Sequence, residues 1–253
     1  MNKFCFYKSE KIEYVFIKGS TIHFDEHCHA FDFIITKILC GNVVLRKNGI
    51  LQTVSTNHIF KVAPYEPHAL FSEMPITAIT MCIKKELIYS GDREGFKKQI
   101  INSLSAISDT FDDIKQFEKL FSEFYNVALE FFDEYYAFEE DDNSPYVISR
   151  NEIEMNPEEE KRLVQLAQET FVSKYHYIRK FKACAGLTPH KFQIQNRIRK
   201  SQRQLMKGKS VADAAILAGF FDQSHFNKYF KKIVGISPRE YKDSVCNFLQ
   251  DPN

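Results

Sequence analysis

The chain has 253 residues, 44% of them apolar and 26% charged, a composition that excludes a disordered tail or a membrane protein. Its 34 basic and 33 acidic side chains leave a net charge of +1, which taken alone argues against a uniformly basic nucleic-acid binder. The charge is unevenly placed. Residues 161–242 hold 12 Lys and 6 Arg against four acids, a net of +14, whereas residues 1–160 hold 16 basic and 27 acidic residues, a net of −11. An acidic front half and a basic back half predict two domains, the second a surface for a polyanion. A lysine-rich helical domain that is merely well solvated is the plainer alternative.

The N-terminal stretch MNKFCFYKSEKIEYVF has no apolar segment followed by a small-residue cleavage site, and no run approaches about 18 apolar residues. Neither secretion nor a membrane span is expected, and the cytoplasm is the expected location. Six cysteines, at 5, 28, 40, 82, 184 and 246, include no CxxC pair, so reduced thiols are expected. Cys28, Cys40 and Cys82 stand in strand-like runs and read as core thiols.

Residues 12–17, 31–39, 42–46 and 77–83 are short runs rich in Val, Ile, Thr and aromatics, broken by Gly and Asn signals, which predicts strands. Lys47-Asn48-Gly49-Ile50 carries the Asn-Gly pair of a tight hairpin. Pro64 and Pro67 demote 64–68 to a loop or an edge. An antiparallel barrel or sandwich over about 10–85 follows, enclosing its own core or a small cavity. His27 and His29 share one side of an extended segment, and His68 follows the strand that ends near Val62. A barrel can bring these imidazoles together, but no glutamate stands at a persuasive further spacing. Hydrogen-bonding within the fold or to a small-molecule ligand is therefore favoured over a metal, and His27, His29 and His68 are candidates for such a pocket. No metal and no cofactor are expected. The sequence contains no nucleophile elbow, Gly-rich phosphate loop or HExxH, and no enzyme is expected.

Residues 94–107 form a weak amphipathic helix. Over 111–132, apolar Phe111, Ile114, Phe117, Leu120, Phe121, Phe124, Val127, Ala128, Phe131 and Phe132 recur at three and four, which predicts a stronger one. Its stripe packs on the barrel or builds part of a dimer interface, and both readings stay open. The acidic run 139–144 before Pro145 marks a linker region.

The basic half reads as two helix-turn-helix units. In the first, Asn156 and Pro157 start a helix with Leu163, Leu166 and Ala167 on one face, and Ser173 caps the next. That second helix buries Tyr177, Phe181 and Cys184 and turns Lys174, Tyr175, Ile178, Arg179 and Lys182 to its other faces, with Gly186 closing it. A helix over roughly 190–206 connects the units. In the second unit Ser210 caps a helix with Val211, Ala214, Ala215 and Leu217, Gly219-Phe220 makes the turn, and Asp222 caps the last helix. There Phe226, Phe230 and Ile233 point inward, and Ser224, His225, Asn227 and Lys228 outward, with Gln223 at the helix start. Two short helices across a tight turn, the second polar and basic, is how a recognition helix enters a major groove.

Residues 163–242 resemble the DNA-binding domain of the AraC/XylS family of bacterial transcription regulators. The likeness runs through Leu166-Ala167, Ser173, His176, Arg179, Phe181-Lys182, Gly186-Leu187-Thr188-Pro189-His190, Arg197-Ile198, Leu205, Gly208 and Ala214. It continues through Gly219-Phe220, Asp222-Gln223-Ser224-His225-Phe226, Phe230-Lys231, Gly235, Ser237-Pro238 and Tyr241. The front half is similar to that family's cupin-type effector domain through His27-x-His29, Gly41 and Pro64 to His68. The family domain begins with a further helix, whereas 144–156 shows poor helical periodicity, so its form stays open. Ser201 stands where many relatives carry Ala.

The resemblance implies an α+β fold: an N-terminal cupin-like antiparallel β-barrel with flanking helices, and a C-terminal all-α domain with two helix-turn-helix units. The expected divisions are an effector-binding and dimerisation domain over 1–140, a linker region over 141–156 and the DNA-binding domain over 157–245. The implied function is sequence-specific regulation of transcription, most often activation in response to a small molecule. The implied partners are double-stranded DNA, RNA polymerase, a small-molecule effector and a second copy of the chain, with no membrane. Arg179 and Tyr175 are expected to read bases, Ile178 to touch a thymine methyl, and Lys174 and Lys182 to meet phosphates. Ser224, His225, Asn227 and Lys228 are expected in a neighbouring groove, with Gln223 towards the backbone. Two alternatives remain: a cupin-type metal enzyme with an accessory basic domain, and a non-specific nucleic-acid packaging protein.

Overall fold

The computed structural model describes residues 4–108, 111, 113–136, 143–159, 166–168 and 170–246. The front half supplies β1 (Phe4–Lys8), β2 (Ile12–Ser20), β3 (His23–His27), β4 (Asp32–Cys40), β5 (Asn42–Lys47), β6 (Ile50–Ser55), β7 (Ile59–Val62), β8 (His68–Phe71) and β9 (Ile76–Lys84). The hairpin at Asn48-Gly49 is present. Both residues have positive φ, 53° and 79°, and Lys47 pairs with Ile50.

The expected closed, cupin-like barrel is not what forms. The strands make two open sheets: a six-stranded one in the order β10-β1-β2-β9-β4-β7, where β10 (Val245–Cys246) comes from the far end of the chain, and a four-stranded one in the order β3-β8-β5-β6. The chain changes sheet between β6 and β7, at Asn57 with φ 68°. β7 then pairs with β4, while β6 stays on β5 and leaves Ile50 and Leu51 exposed at a free edge. Closure needs a ladder joining the two sheets, and among the described residues none does.

The long strands β2, β4 and β9 bury both faces, which is why they read as nearly continuous apolar runs. One face, with Tyr14, Phe16, Phe33, Ile35 and Met81, is covered by α1 (Lys85–Tyr89), α2 (Arg93–Ala106) and α3 (Ile114–Tyr135). Leu120, Phe124, Ala128, Phe131 and Phe132 of α3 are buried there. This part of the expected stripe is therefore covered within the chain, each large side chain worth about 1.5–3 kcal/mol, whereas Ile114 is exposed and Phe111, Phe117, Phe121 and Val127 are half-buried. The Asp113 side chain caps this helix by accepting from the Lys115 and Gln116 N–H groups.

The other face of the large sheet meets the small sheet and the helical half in one cluster. Ile34, Ile38, Val43, Leu45 and Ala78 from the strands share it with Ile198, Phe226, Phe230 and Tyr241. The helical half comprises α4 (Pro145–Met155), α5 (Lys174–Ala185), α6 (Pro189–Met206), α7 (Val211–Leu217), α8 (Gln223–Val234) and α9 (Pro238–Ser244). α4 resolves the form of 144–156: it is a helix with Pro145 in its first turn. Its weak periodicity has a physical reason, because Ser149, Arg150 and Glu154 are buried along with Val147 and Ile153. Arg150 lies 4.1 Å from the Tyr65 ring centroid, and the Tyr65 hydroxyl donates to Glu154 at 2.8 Å. The acidic run 139–144 lies mostly outside the described residues.

Candidate nucleic-acid interface and effector cavity

Both expected recognition helices form, as α5 and α8. Ser173 accepts from the His176 N–H, and Asp222 from the Ser224 and His225 N–H groups. Each helix ends on a left-handed glycine, Gly186 at φ 75° and Gly235 at φ 88°. Tyr177 and Phe181 of α5, and Phe226 and Phe230 of α8, are fully buried, which fixes the rotation of both helices. Cys184 and Ile233, expected in the same stripes, are half-buried.

That rotation leaves Lys174, Tyr175, Arg179 and Lys182 exposed on α5, with Ile178 half-buried. Arg179 reaches His176 at 3.5 Å. On α8 it leaves Gln223, Ser224, His225, Asn227 and Lys228 exposed, and His225 lies edge-on to Tyr229 with centroids 4.6 Å apart. The preceding helix of the second unit is α7, whose Ala214 and Ala215 are buried as close crossing requires, while Leu217 is exposed. The helix expected to open the first unit falls partly outside the described residues: 157–159 form a turn and 166–168 are helical. α6 joins the units; its 18 residues span about 27 Å at 1.5 Å per residue, comparable with one turn of duplex DNA.

Two exposed rings escaped the sequence reading. Phe171, at φ 54°, is 96% exposed, and Phe221 is 100% exposed. Phe221 immediately precedes a helix cap, where an apolar side chain ordinarily staples back onto its own helix. Only the folded turn reveals that it does not.

His27, His29 and His68 are brought together. His27, the last residue of β3, pairs in register with His68, the first of β8, and His29 follows two residues later. Ring centroids lie 4.3 Å apart for His27–His68, 5.2 Å for His27–His29 and 5.3 Å for His29–His68. They stand at the polar end of a cavity of about 120 Å³ whose apolar walls include Phe6, Ile17, Ile34, Ile38, Val43 and Ala78. Burial pushes all three imidazoles well down, His68 to about 4, and the Arg199 guanidinium beside His29 adds to the effect there. All three are neutral at physiological pH.

The helical half closes this cavity, through residues outside the expected effector pocket. Arg199 and Gln202 of α6 line it, and Arg199 donates to His29 Nδ1 at 3.2 Å and to Gln202 at 3.0 Å. α6 carries an available signal in its buried polar residues Gln193, Gln195, Asn196, Ser201 and Gln202, too many for a helix that merely connects. Further bonds tie the sheets to the helices. Lys232 of α8 bonds Asp25 at 2.8 Å, which pulls the Asp25 carboxyl below its ordinary range, and Lys191 of α6 meets Glu26 at 3.2 Å.

Residues 166–244 match a family model described as a helix-turn-helix domain. The chain is 33% identical over 87 residues to the HTH-type transcriptional regulator MtrA of Neisseria gonorrhoeae, covering 34% of this chain and 29% of that protein. It is 25% identical over 225 residues to the HTH-type transcriptional regulator YbfI of Bacillus subtilis, covering 84% and 71%. The fold is similar to that of ToxT from Vibrio cholerae: the apo K231A crystal structure aligns with a TM-score of 0.62 at 17% identity, over 95% of this chain and 100% of that one. ToxT has also been crystallised with an unsaturated fatty acid and with (E)-4-(8-methylnaphthalen-1-yl)but-3-enoic acid. Among the described residues, no helix is long and apolar enough to cross a membrane.

Proposed function

We propose that this chain, homologous to AraC/XylS-family regulators in its helix-turn-helix sequence and similar to them in fold over most of its length, is a sequence-specific DNA-binding regulator of transcription. The observation that carries the reading is the pair of capped helices α5 and α8, each anchored by buried aromatics and each presenting polar and basic side chains to solvent. Arg179 and Tyr175 read bases in one major groove, with Ile178 against a thymine methyl and Lys174 and Lys182 on phosphates. Ser224, His225, Asn227 and Lys228 read the next groove, and Gln223 touches the backbone.

The division into an effector-binding unit over 1–140, a linker region over 141–156 and a DNA-binding unit over 157–245 belongs to the same reading. The cavity takes a small molecule whose apolar part meets the aliphatic and aromatic walls and whose polar end faces the histidines and Arg199. Activation proceeds through contact with RNA polymerase. A homodimer forms on the outer side of α3, where Phe117, Phe121, Tyr125 and Leu129 make a half-buried row four residues apart.

Selection of bound fragments from a random duplex library, followed by footprinting, tests the core of the reading. A single enriched motif protected over two successive turns on one face of the duplex is expected. Equal binding to all sequences at fixed salt would replace it with non-specific packaging.

A further inference from the structure

We propose that His27, His29 and His68 form a site for one divalent transition-metal ion of the zinc class, and that filling this site expels Arg199 from His29. Each residue offers a ligand atom, and these atoms lie within 4.8 Å of one another. Three nitrogens on a tetrahedral ion at about 2.0–2.1 Å stand about 3.3 Å apart, so closing the cluster takes a shift of roughly 1.5 Å at most. Two of the three ligands are held in place by the β3–β8 ladder.

The hydrogen bonds on the far ring nitrogens favour metal. His27 Nδ1 lies 2.7 Å from the Asp25 carbonyl and His68 Nδ1 lies 3.1 Å from the Glu66 carbonyl. A carbonyl only accepts, so Nδ1 carries the proton in both rings and Nε2 keeps its lone pair. A backbone carbonyl on the far nitrogen is the usual way a metal-binding imidazole is oriented. Both rings are almost completely buried, at 5% and 2% exposure, so neither lone pair is well satisfied by bulk water.

His29 makes the site conditional. Arg199 has only donors, so at 3.2 Å it claims the Nδ1 lone pair of His29 and places that ring's proton on Nε2. A metal needs a lone pair from His29. If it takes Nδ1, it displaces the guanidinium directly. If it takes Nε2, the proton moves to Nδ1 and the guanidinium faces another donor. In either case Arg199 must leave, and two positive charges so close would separate in any event. Glu13 and Asp32 line the same cavity, Asp32 in an ion pair with Lys84 at 2.6 Å. Because Arg199 sits on α6 and His29 follows β3, loading the site removes a bond between the sheets and the helix that joins the two DNA-binding units. The proposal does not rest on the DNA-binding reading.

The test uses the full chain, stripped with chelator and titrated with Co(II) and then with Zn(II) against a chromophoric chelator. One equivalent is expected, with visible Co(II) bands of imidazole and oxygen ligation and no thiolate charge-transfer band. His27→Gln and His68→Gln should each weaken binding at least a hundredfold, with circular dichroism and unfolding midpoints checked for both. Arg199→Gln should tighten binding about tenfold or more. A thiolate charge-transfer band would place the ion on cysteine and overturn the site, as would stoichiometric binding that survives in a folded His27→Gln or His68→Gln chain. Absence of binding at 100 μM metal, a concentration of about 10⁻⁴ M, would also overturn it. Unchanged affinity in Arg199→Gln would overturn the competition.

Discussion

The Gln195 side chain binds both backbone polar groups of Cys28: the Cys28 N–H donates to Gln195 Oε1 at 2.9 Å, and Gln195 Nε2 donates to the Cys28 carbonyl. The residues are 167 apart in sequence. Cys28 lies just beyond the end of β3, where the ladder stops, and an amide from α6 supplies the donor and acceptor that a neighbouring strand would have given. This pairing, with Arg199–His29 and Lys232–Asp25, fastens the sheets to the helical half.

Gln195→Leu should therefore destabilise the full chain by about 2–6 kcal/mol, since it leaves a buried N–H and a buried carbonyl unpaired at about 1–3 kcal/mol each. Gln195→Glu, when ionised, buries a charge and sets an acceptor against the Cys28 carbonyl, and at pH 8 should destabilise at least as much. Urea denaturation of the three chains measures this. A loss below about 0.5 kcal/mol for Gln195→Leu would mean that water replaces the amide.

Gly186→Ala and Gly208→Ala separate backbone strain from contact. Both glycines have positive φ, at 75° and 83°, so each alanine costs about 1–2 kcal/mol in conformation. A Cβ at Gly208 meets nothing within 4 Å, whereas at Gly186 it would lie 2.0 Å from the Tyr65 carbonyl oxygen. The unfolding midpoint should fall clearly further for Gly186→Ala. Equal shifts would show that α5 and the 63–67 loop separate freely.

Arg179→Ala should weaken binding to the selected DNA site by about 1–3 kcal/mol and relax preference at one base position. Lys174→Ala and Lys182→Ala should weaken specific and random duplex alike and each lower the salt slope by about 1. Fluorescence anisotropy at several salt concentrations distinguishes these outcomes. An equal loss on both duplexes for Arg179→Ala would make it a phosphate contact.

Cys28 reports whether the sheets and helices stay closed. Burial pushes its thiol up to about 12, so at pH 8 roughly one molecule in ten thousand carries the thiolate, and the side chain is fully covered. Cys40 is exposed. Alkylation at pH 8 followed by peptide mass spectrometry should modify Cys40 quickly and leave Cys28 intact, while Gly186→Ala should accelerate labelling of Cys28. Labelling of Cys28 at the Cys40 rate in the unaltered chain would mean that the closed arrangement is a minor state.

What the sequence determined alone is what depends on neighbours a few residues away. Ser173 and Asp222 cap α5 and α8, Asn48-Gly49 turns the hairpin, and Tyr177, Phe181, Phe226 and Phe230 set which faces are buried, because caps, turns and helical stripes are settled within a turn or two of chain. The charge reversal between the halves was legible in the same way. Tertiary structure decided the rest. The strands form two open sheets because β7 finds β4 while β6 remains on β5, a choice among partners that short apolar runs do not encode. α4 is a helix with a partly polar buried face because Tyr65, some 85 residues earlier, receives Arg150 and Glu154. The histidines were visible as a cluster in waiting, but Arg199 was not visible as their partner, since nothing local links residues 170 positions apart. The buried hydrogen bonds that join the two halves are specified only when both surfaces exist, where each polar group left without its partner would cost more than any local propensity returns.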